Sequence, residues 1–275
     1  MNLLNYPLLI FVLTFFLLWL VGWVGAQFNQ RKRILADEDV RADFTTVQAA
    51  TLTLLGLIIG FSFSMATGRY DLRKSYEEAE ANAIGTEYVR ADLLPADEAS
   101  RVRALLKDYT AQRIRFYTSQ NWDDIDQIRS DTGKVQDQLW TAVSATANAQ
   151  PTALRGLTVA GMNDVLNSEG YTQAAWWNRI PVGAWILMAA IALTSHLLLG
   201  YGAQSAKAES RLFVVLPFVF SVSFLLIADI DSPRSGLIRV HPQNLISLAA
   251  SLHHPHPDRH ERKYSDQHDG DDDQQ

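Results

Sequence analysis

Thr53, Gly56, Gly60, Ser64 and Thr67 recur at every third or fourth position of the apolar run "TVQAATLTLLGLIIGFSFSMATGR". On a helix turning about 100° per residue they fall close to one line. Such a line is open to two chemistries. The hydroxyls of Thr53, Ser64 and Thr67 suit the wall of a pore or vestibule, where a partly dehydrated ion meets them. Gly56, Gly60 and Ser64 also make a small-xxx-small pattern that lets two helix backbones approach closely, which is the commoner use. Both hold if identical subunits pack around an axis. Phe61 and Phe63 lie beside the line, as an apolar constriction or as ordinary packing. Past Gly68 the line continues as Asp71, Lys74, Glu78, Asn82 and Gly85, and Arg69, Arg73 and Lys74 place positive charge at one mouth.

Other side chains with chemistry available carry less. Glu77, Glu80, Ala81, Ile84, Tyr88 and Ala91 share the opposite face, and Glu87 and Arg90 are spaced to pair as helix neighbours. Paired carboxylates suit acid–base catalysis, but no histidine or nucleophile is linked to these by spacing. The expectation is no enzyme, no catalytic residue and no cofactor. His196, inside an apolar stretch, is expected to bond a neighbouring helix, a proton-sensing gate being its second use. "LGYGAQ" (199–204) lacks the lead-in and pore helix of a potassium filter. "HHPHPDRH" reads as a solvated tail rather than a metal cage, and no metal site is expected. With no cysteine, disulfides and thiolate sites are excluded. No basic arm with interleaved aromatics points to nucleic acid.

The elements that carry these residues follow from where charge is missing. None occurs in residues 1–30, 44–68, 180–206 or 212–228. Each block holds roughly 17 to 22 mostly apolar residues, the length a helix needs to cross hydrocarbon. In lipid the backbone must satisfy its own hydrogen bonds, so these stretches are helices. Four spans are expected, near 7–26, 47–67, 180–201 and 212–228. The "VGA" before Gln27 suits a signal-peptide cleavage site, but the amino end lacks Lys and Arg and the apolar run is long, so a retained helix is expected. No Asp, Glu, Lys or Arg lies within a span core, which argues against a coupled transporter.

Residues 68–178 read as a soluble helical bundle continuous with the second span. A helix from Tyr70 stops at Pro95. The next carries Val102, Leu105, Leu106, Tyr109 and Phe116, and a third carries Ile125, Ile128, Val135, Leu139 and Val143. Pro151 opens a shorter one with Leu154, Leu157, Val165 and Leu166. Trp176, Trp177 and Trp185 are placed for the membrane interface at the start of the third span, as are Trp19 and Trp23 near the end of the first. Residues 179–230 hold spans three and four. Within 231–252, "NLISLAASL" spaces Leu245, Leu248 and Leu252 like a short helix lying on the membrane surface. From 253 onward the His- and Asp-rich tail is expected to be disordered.

Four segments, "TVQAATLTLLGLIIGFSFSMATGRYDLR", "EEAEANAIGTEYVRADLLP", "RIPVGAWILM…LLLGYGAQ" and "LIADIDSPRSGLIRV", run in the order seen in one family and span residues 46–240. The chain resembles the bestrophin-like family of unknown function found in bacteria and plants, named for a distant similarity to bestrophin anion channels. The resemblance implies an all-helical, four-span protein in the cell's plasma or inner membrane. It also implies a homo-oligomer whose second span lines a pore for anions. Bestrophins carry an acidic calcium-binding loop after the last span. Asp229 and Asp231 occupy that place here, with Arg234 and Arg239 following, but the fuller acidic run is missing. The rival function is a non-conducting sensor or scaffold whose helical domain binds a partner.

Orientation divides these indications. Arg31, Lys32, Arg33, Arg41, Lys207 and Arg211 on the short loops equal in number Arg69, Arg73, Lys74, Arg179, Arg234 and Arg239 on the opposite flanks. Short loops carry the greater weight, which puts the bundle outside. Bestrophins keep theirs in the cytosol.

Overall fold

The computed structural model describes residues 5–32, 38–203 and 212–253. Eight α-helices account for nearly all of them: α1 (Pro7–Lys32), α2 (Glu38–Arg90), α3 (Ala96–Thr118), α4 (Trp122–Ala149), α5 (Ala153–Trp177), α6 (Val182–Gly202), α7 (Leu212–Asp231) and α8 (Gln243–His253). There is no strand among the described residues. Stretches long and apolar enough to cross a bilayer lie within Pro7–Phe28, Asp39–Leu93, Ala153–Gly202 and Phe213–Asp231. The His- and Asp-rich tail beyond His253, and the short loops bearing Arg33, Lys207 and Arg211, fall outside the described residues.

The helix boundaries have local causes. α2 runs through Gly68 without a break. A glycine inside a helix costs only about 1 kcal/mol relative to alanine, which a 53-residue helix absorbs. It ends in a 3-10 turn at Ala91–Leu93, and Pro95 follows as the N-cap of α3. Asn121 caps α4 by accepting the Asp123 N–H at 3.1 Å. At α5 the cap is Thr152, whose hydroxyl accepts from the Arg155 N–H at 3.3 Å, so Pro151 lies before the helix rather than in its first turn.

The chain divides into two units. The first comprises Met1–Lys74 and Gln173–Val240, and the second Ser75–Thr172 with His241–Gln275. These seams differ from the 67/68 and 178/179 boundaries expected from composition, because α2 and α5 each change unit partway along their length.

In the first unit Ile10 and Leu18 of α1, Leu55 and Ala66 of α2, Met188 and Ala192 of α6, and Phe224 and Ile227 of α7 form one buried cluster. Glycines set how closely α1 and α6 approach. A Cβ on Gly25 would meet the Leu197 carbonyl oxygen and stand 2.9 Å from the Tyr201 nitrogen. One on Gly200 would meet the Gly22 carbonyl oxygen and stand 3.0 Å from the Ala26 nitrogen. Gly200 of "LGYGAQ" thus belongs to a helix-on-helix contact of the small-residue kind, while Gly202 faces the Phe44 side chain of α2. His196 bonds the Ala192 carbonyl of its own helix at 2.8 Å rather than a neighbouring helix, with its ring edge-on to Phe220.

The second unit buries the expected faces of α3 and α4, including Val102, Leu106, Tyr109, Phe116, Ile128, Leu139 and Val143. α5 departs from expectation. Leu154 and Leu157 are exposed, and the buried row is Thr158, Met162, Val165, Ser168 and Thr172. α8 also belongs to this unit. Its leucine spacing is real, but Leu245 and Leu252 are buried in protein and Leu248 packs beside Gly85 of α2.

Candidate functional site

α2 carries the small and hydroxylated line and the charges beyond it, and its exposure pattern sorts them. Taking about 100° per residue, three faces separate, roughly 110–140° apart. One is buried in the chain's own fold: Leu55, Ser62, Ala66 and Arg73 in the first unit, then Glu77, Glu80, Ile84 and Glu87 in the second. A second is bulky, apolar and exposed: Val47, Leu54, Leu57, Phe61, Met65 and Leu72. The third is the small and hydroxylated line.

That line is not packed within the chain. Thr53, Gly56, Gly60 and Ser64 are exposed, Thr67 is half-buried, and Asp71 and Lys74 beyond them are exposed. A Cβ added at Gly56, Gly60 or Gly68 would meet nothing within 4 Å. The hydroxyls of Thr53 and Thr67 donate to the carbonyls of Ala49 and Phe63, one turn back, at 2.9 and 3.0 Å. Each hydroxyl therefore keeps its hydrogen-bond requirement met inside the helix. Phe61 and Phe63 are exposed and flank the line on opposite sides.

The three charges expected at the mouth part company. Arg73 is buried, its two Nη groups donating to the carbonyls of Ile230 and Asp231 at 3.2 and 3.3 Å. It caps the C-terminal end of α7, where unpaired carbonyls and the helix dipole favour a cation. Arg69 is half-buried and reaches Asn178 through Nε at 3.4 Å. Lys74 alone of the three is exposed.

"DIDSPRSG" folds into a satisfied tie. Asp229 accepts the backbone N–H groups of Leu237 and Ile238, both at 2.8 Å, one on each carboxylate oxygen. Asp231 accepts the Ile180 N–H at 2.9 Å and pairs with Arg179 at 3.3 Å. Gly236 has no room for a Cβ against the Asp229 carbonyl, so the loop closes only with glycine there. Arg234 lies over the Trp176 ring, 4.3 Å from its centre, which puts Trp176 inside the fold while Trp177 is exposed. These carboxylates hold the ends of α6 and α7, each oxygen already accepting from a protein donor. No group of three or more potential metal ligands occurs among the described residues.

In the second unit the charged face of α2 makes further ties that its spacing alone did not assign. Glu77 accepts from Asn244 at 2.7 Å and from the first-turn N–H of Leu245 at 3.0 Å, capping α8 from outside the helix. Glu80, fully buried, pairs with Arg113 and accepts from Tyr117 and Thr172, each at 3.3 Å. Arg113 also reaches Glu169 at 3.6 Å. Burial pushes the Glu80 carboxyl up, against the opposing charge of Arg113. For Arg113 burial works downward, but Glu80 and Tyr109 outweigh it and hold the guanidinium charged. Glu87 makes no ion pair with Arg90, and neither of its oxygens has a hydrogen-bond partner.

The Bestrophin-like domain model matches residues 9–245. The fold matches bacterial bestrophin homologue structures from Klebsiella pneumoniae. One point-mutant form is 12% identical with a TM-score of 0.64, covering 90% of this chain and 97% of that one. Another structure, solved by Zn-SAD phasing, is 13% identical with a TM-score of 0.58, covering 88% and 98%. No curated protein matches the sequence. With four apolar spans and no strand among the described residues, and a family match over most of its length, the chain belongs to the bestrophin-like family.

Proposed function

We propose that this protein is a homo-oligomeric channel of the cell membrane that passes anions, with the third face of α2 turned to the axis. The observation that carries the proposal is the unpacked line itself. Thr53, Gly56, Gly60 and Ser64 are exposed although the same helix buries a separate face in its own fold. Close packing of that line inside one subunit is thereby removed as its explanation. The small residues leave room for a water-filled axis, and the hydroxyl protons of Thr53 and Thr67 are already given to backbone carbonyls, so a passing anion meets no strong binding group there and is free to leave, as conduction requires. The bulky face of Val47, Leu54, Leu57, Phe61 and Met65 is left for neighbouring subunits and lipid. Arg69 and Lys74 supply positive potential near one mouth, while Arg73 serves the fold. Phe63, exposed on the other flank of the line, narrows the axis. No step of this function needs a cofactor or a catalytic residue.

Current recordings from purified protein in planar bilayers test this. A chloride-dependent current is expected, and Gly60→Trp is expected to reduce it at least tenfold while leaving the subunit folded, since no atom of the chain lies within 4 Å of the added Cβ. A robust anion current unchanged by Gly60→Trp would remove this face from the pore. No current at all, from a monomer or dimer, would favour the scaffold reading.

A further inference from the structure

Among the buried charges along α2, Glu87 is the exception. Arg73 caps α7, Glu77 caps α8, and Glu80 is paired with Arg113 and bonded by two hydroxyls. Glu87 is equally inaccessible, at 0% exposure, yet both carboxyl oxygens lack a partner. A buried carboxylate left that way carries the full penalty of lost hydration. Its wall is Gly161 of α5, where an added Cβ would collide with a Glu87 oxygen and with the Arg90 side chain. Glycine at 161 thus makes the space the carboxyl fills.

We infer that Glu87 is a proton-binding site, and that the seating of α5 against α2 within the second unit depends on its proton. A neutral carboxyl removes the charge penalty without any need for a cation partner. The charged groups acting on it are few. Arg90 lies one turn on along α2, and Asp164 lies one turn beyond Gly161 on α5. On α3, Arg103 is engaged by Asp92 and by the Tyr88 carbonyl. α8 meets this part of α2 through Leu248, which carries no charge. Arg90 therefore draws the proton off and Asp164 retains it.

Burial pushes the Glu87 carboxyl up to about 8, with Arg90 opposing and Asp164 adding to the rise. The folded state therefore keeps a proton that the unfolded chain releases near the ordinary value of 4.5. The contribution to stability is whole below pH 4.5 and is lost as pH rises to about 8, after which it stays constant.

Thermal melts of the full-length protein in detergent between pH 6 and pH 9, beside Glu87→Gln, read this directly. Tm of the unsubstituted protein is expected to fall by roughly 5–10 °C over that range. Glu87→Gln, which fills the same space without titrating, is expected to lose most of that fall and to be the more stable protein at pH 9. Parallel curves for the two proteins would overturn the inference. If Glu87→Gln does not fold, infrared spectra of the unsubstituted protein decide. A protonated-carboxyl band present at pH 6 and lost by pH 10 supports the site, and its absence at pH 6 overturns it.

Discussion

Gly200→Val is expected to give no folded protein, where Gly56→Val or Gly60→Val on α2 leaves the subunit fold intact. At Gly200 the obstacle is main chain: the Gly22 carbonyl oxygen and the Ala26 nitrogen of α1. A flexible side chain could swing aside, but a helix backbone can only move as a whole. Overpacking a core commonly costs about 1–3 kcal/mol, and a clash with backbone belongs at or above the top of that range. A protein is stable by only about 5–15 kcal/mol, so the loss is a large fraction of what is available. Gly25→Val is expected to behave alike, because the Leu197 carbonyl and Tyr201 nitrogen confront it. A Cβ at Gly56 or Gly60 meets nothing within 4 Å, so neither substitution disturbs packing inside the subunit. Size-exclusion profiles and melting curves in mild detergent separate the two classes.

Arg113→Met is expected to be the most damaging single change in the second unit, costing about 3–5 kcal/mol. Arg113 and Glu80 are both fully buried, and Arg113 is the cation facing Glu80. Removing it strands a carboxylate that Tyr117 and Thr172 can hydrogen-bond but not neutralise. The pH dependence follows in sign. With its cation gone, Glu80 is pushed still further above the ordinary value of 4.5, because burial already drives it upward. Its protonated form then fits the site, so the defect is smallest in acid and grows as pH rises through neutrality. Restoring an apolar match with Glu80→Leu in the Arg113→Met background is expected to recover much of the loss, since the pair's own net worth is small. Tm measured at pH 5 and pH 8 for the single and double variants checks both points.

How much of this was legible beforehand divides along physical lines. The four spans and the unbroken α2 were legible because the bilayer imposes length and apolarity, and because no proline interrupts residues 46–90. The faces of α3 and α4 were legible for a related reason: their cores are apolar, so periodicity marks them. On α5 the expected stripe holds only at Val165: Leu154 and Leu157 are exposed, Leu166 is half-buried, and the buried face mixes Met162 and Val165 with Thr158, Gly161, Ser168 and Thr172, the last bonded to Glu80. Hydropathy cannot show such a face without its partner. The leucines of α8 form the expected stripe, but a stripe does not name what covers it; Leu245 and Leu252 are buried within the protein, and Glu77, 167 positions away from Asn244, ties the helix there. Arg73 shows the same limit. In sequence it stands beside Lys74 as one of two adjacent cations, yet helical rotation turns one inward onto α7 and the other out to solvent. The tie at Asp229 and Asp231 could have been suspected from glycine at 236, which a loop folding back on its own carboxylate requires.

The chain has no cysteine, so single-cysteine variants have no background reactivity. Cysteine at Thr53, Gly56, Gly60, Ser64 and Thr67, and separately at Leu54, Leu57, Phe61 and Met65, can be exposed in intact membranes to an anionic, membrane-impermeant thiol reagent. The account predicts rapid labelling along the first set and little along the second, in a period near 3.6 residues. Labelling confined to the bulky set, or protection of both sets alike, would contradict a water-filled axis lined by this face of α2.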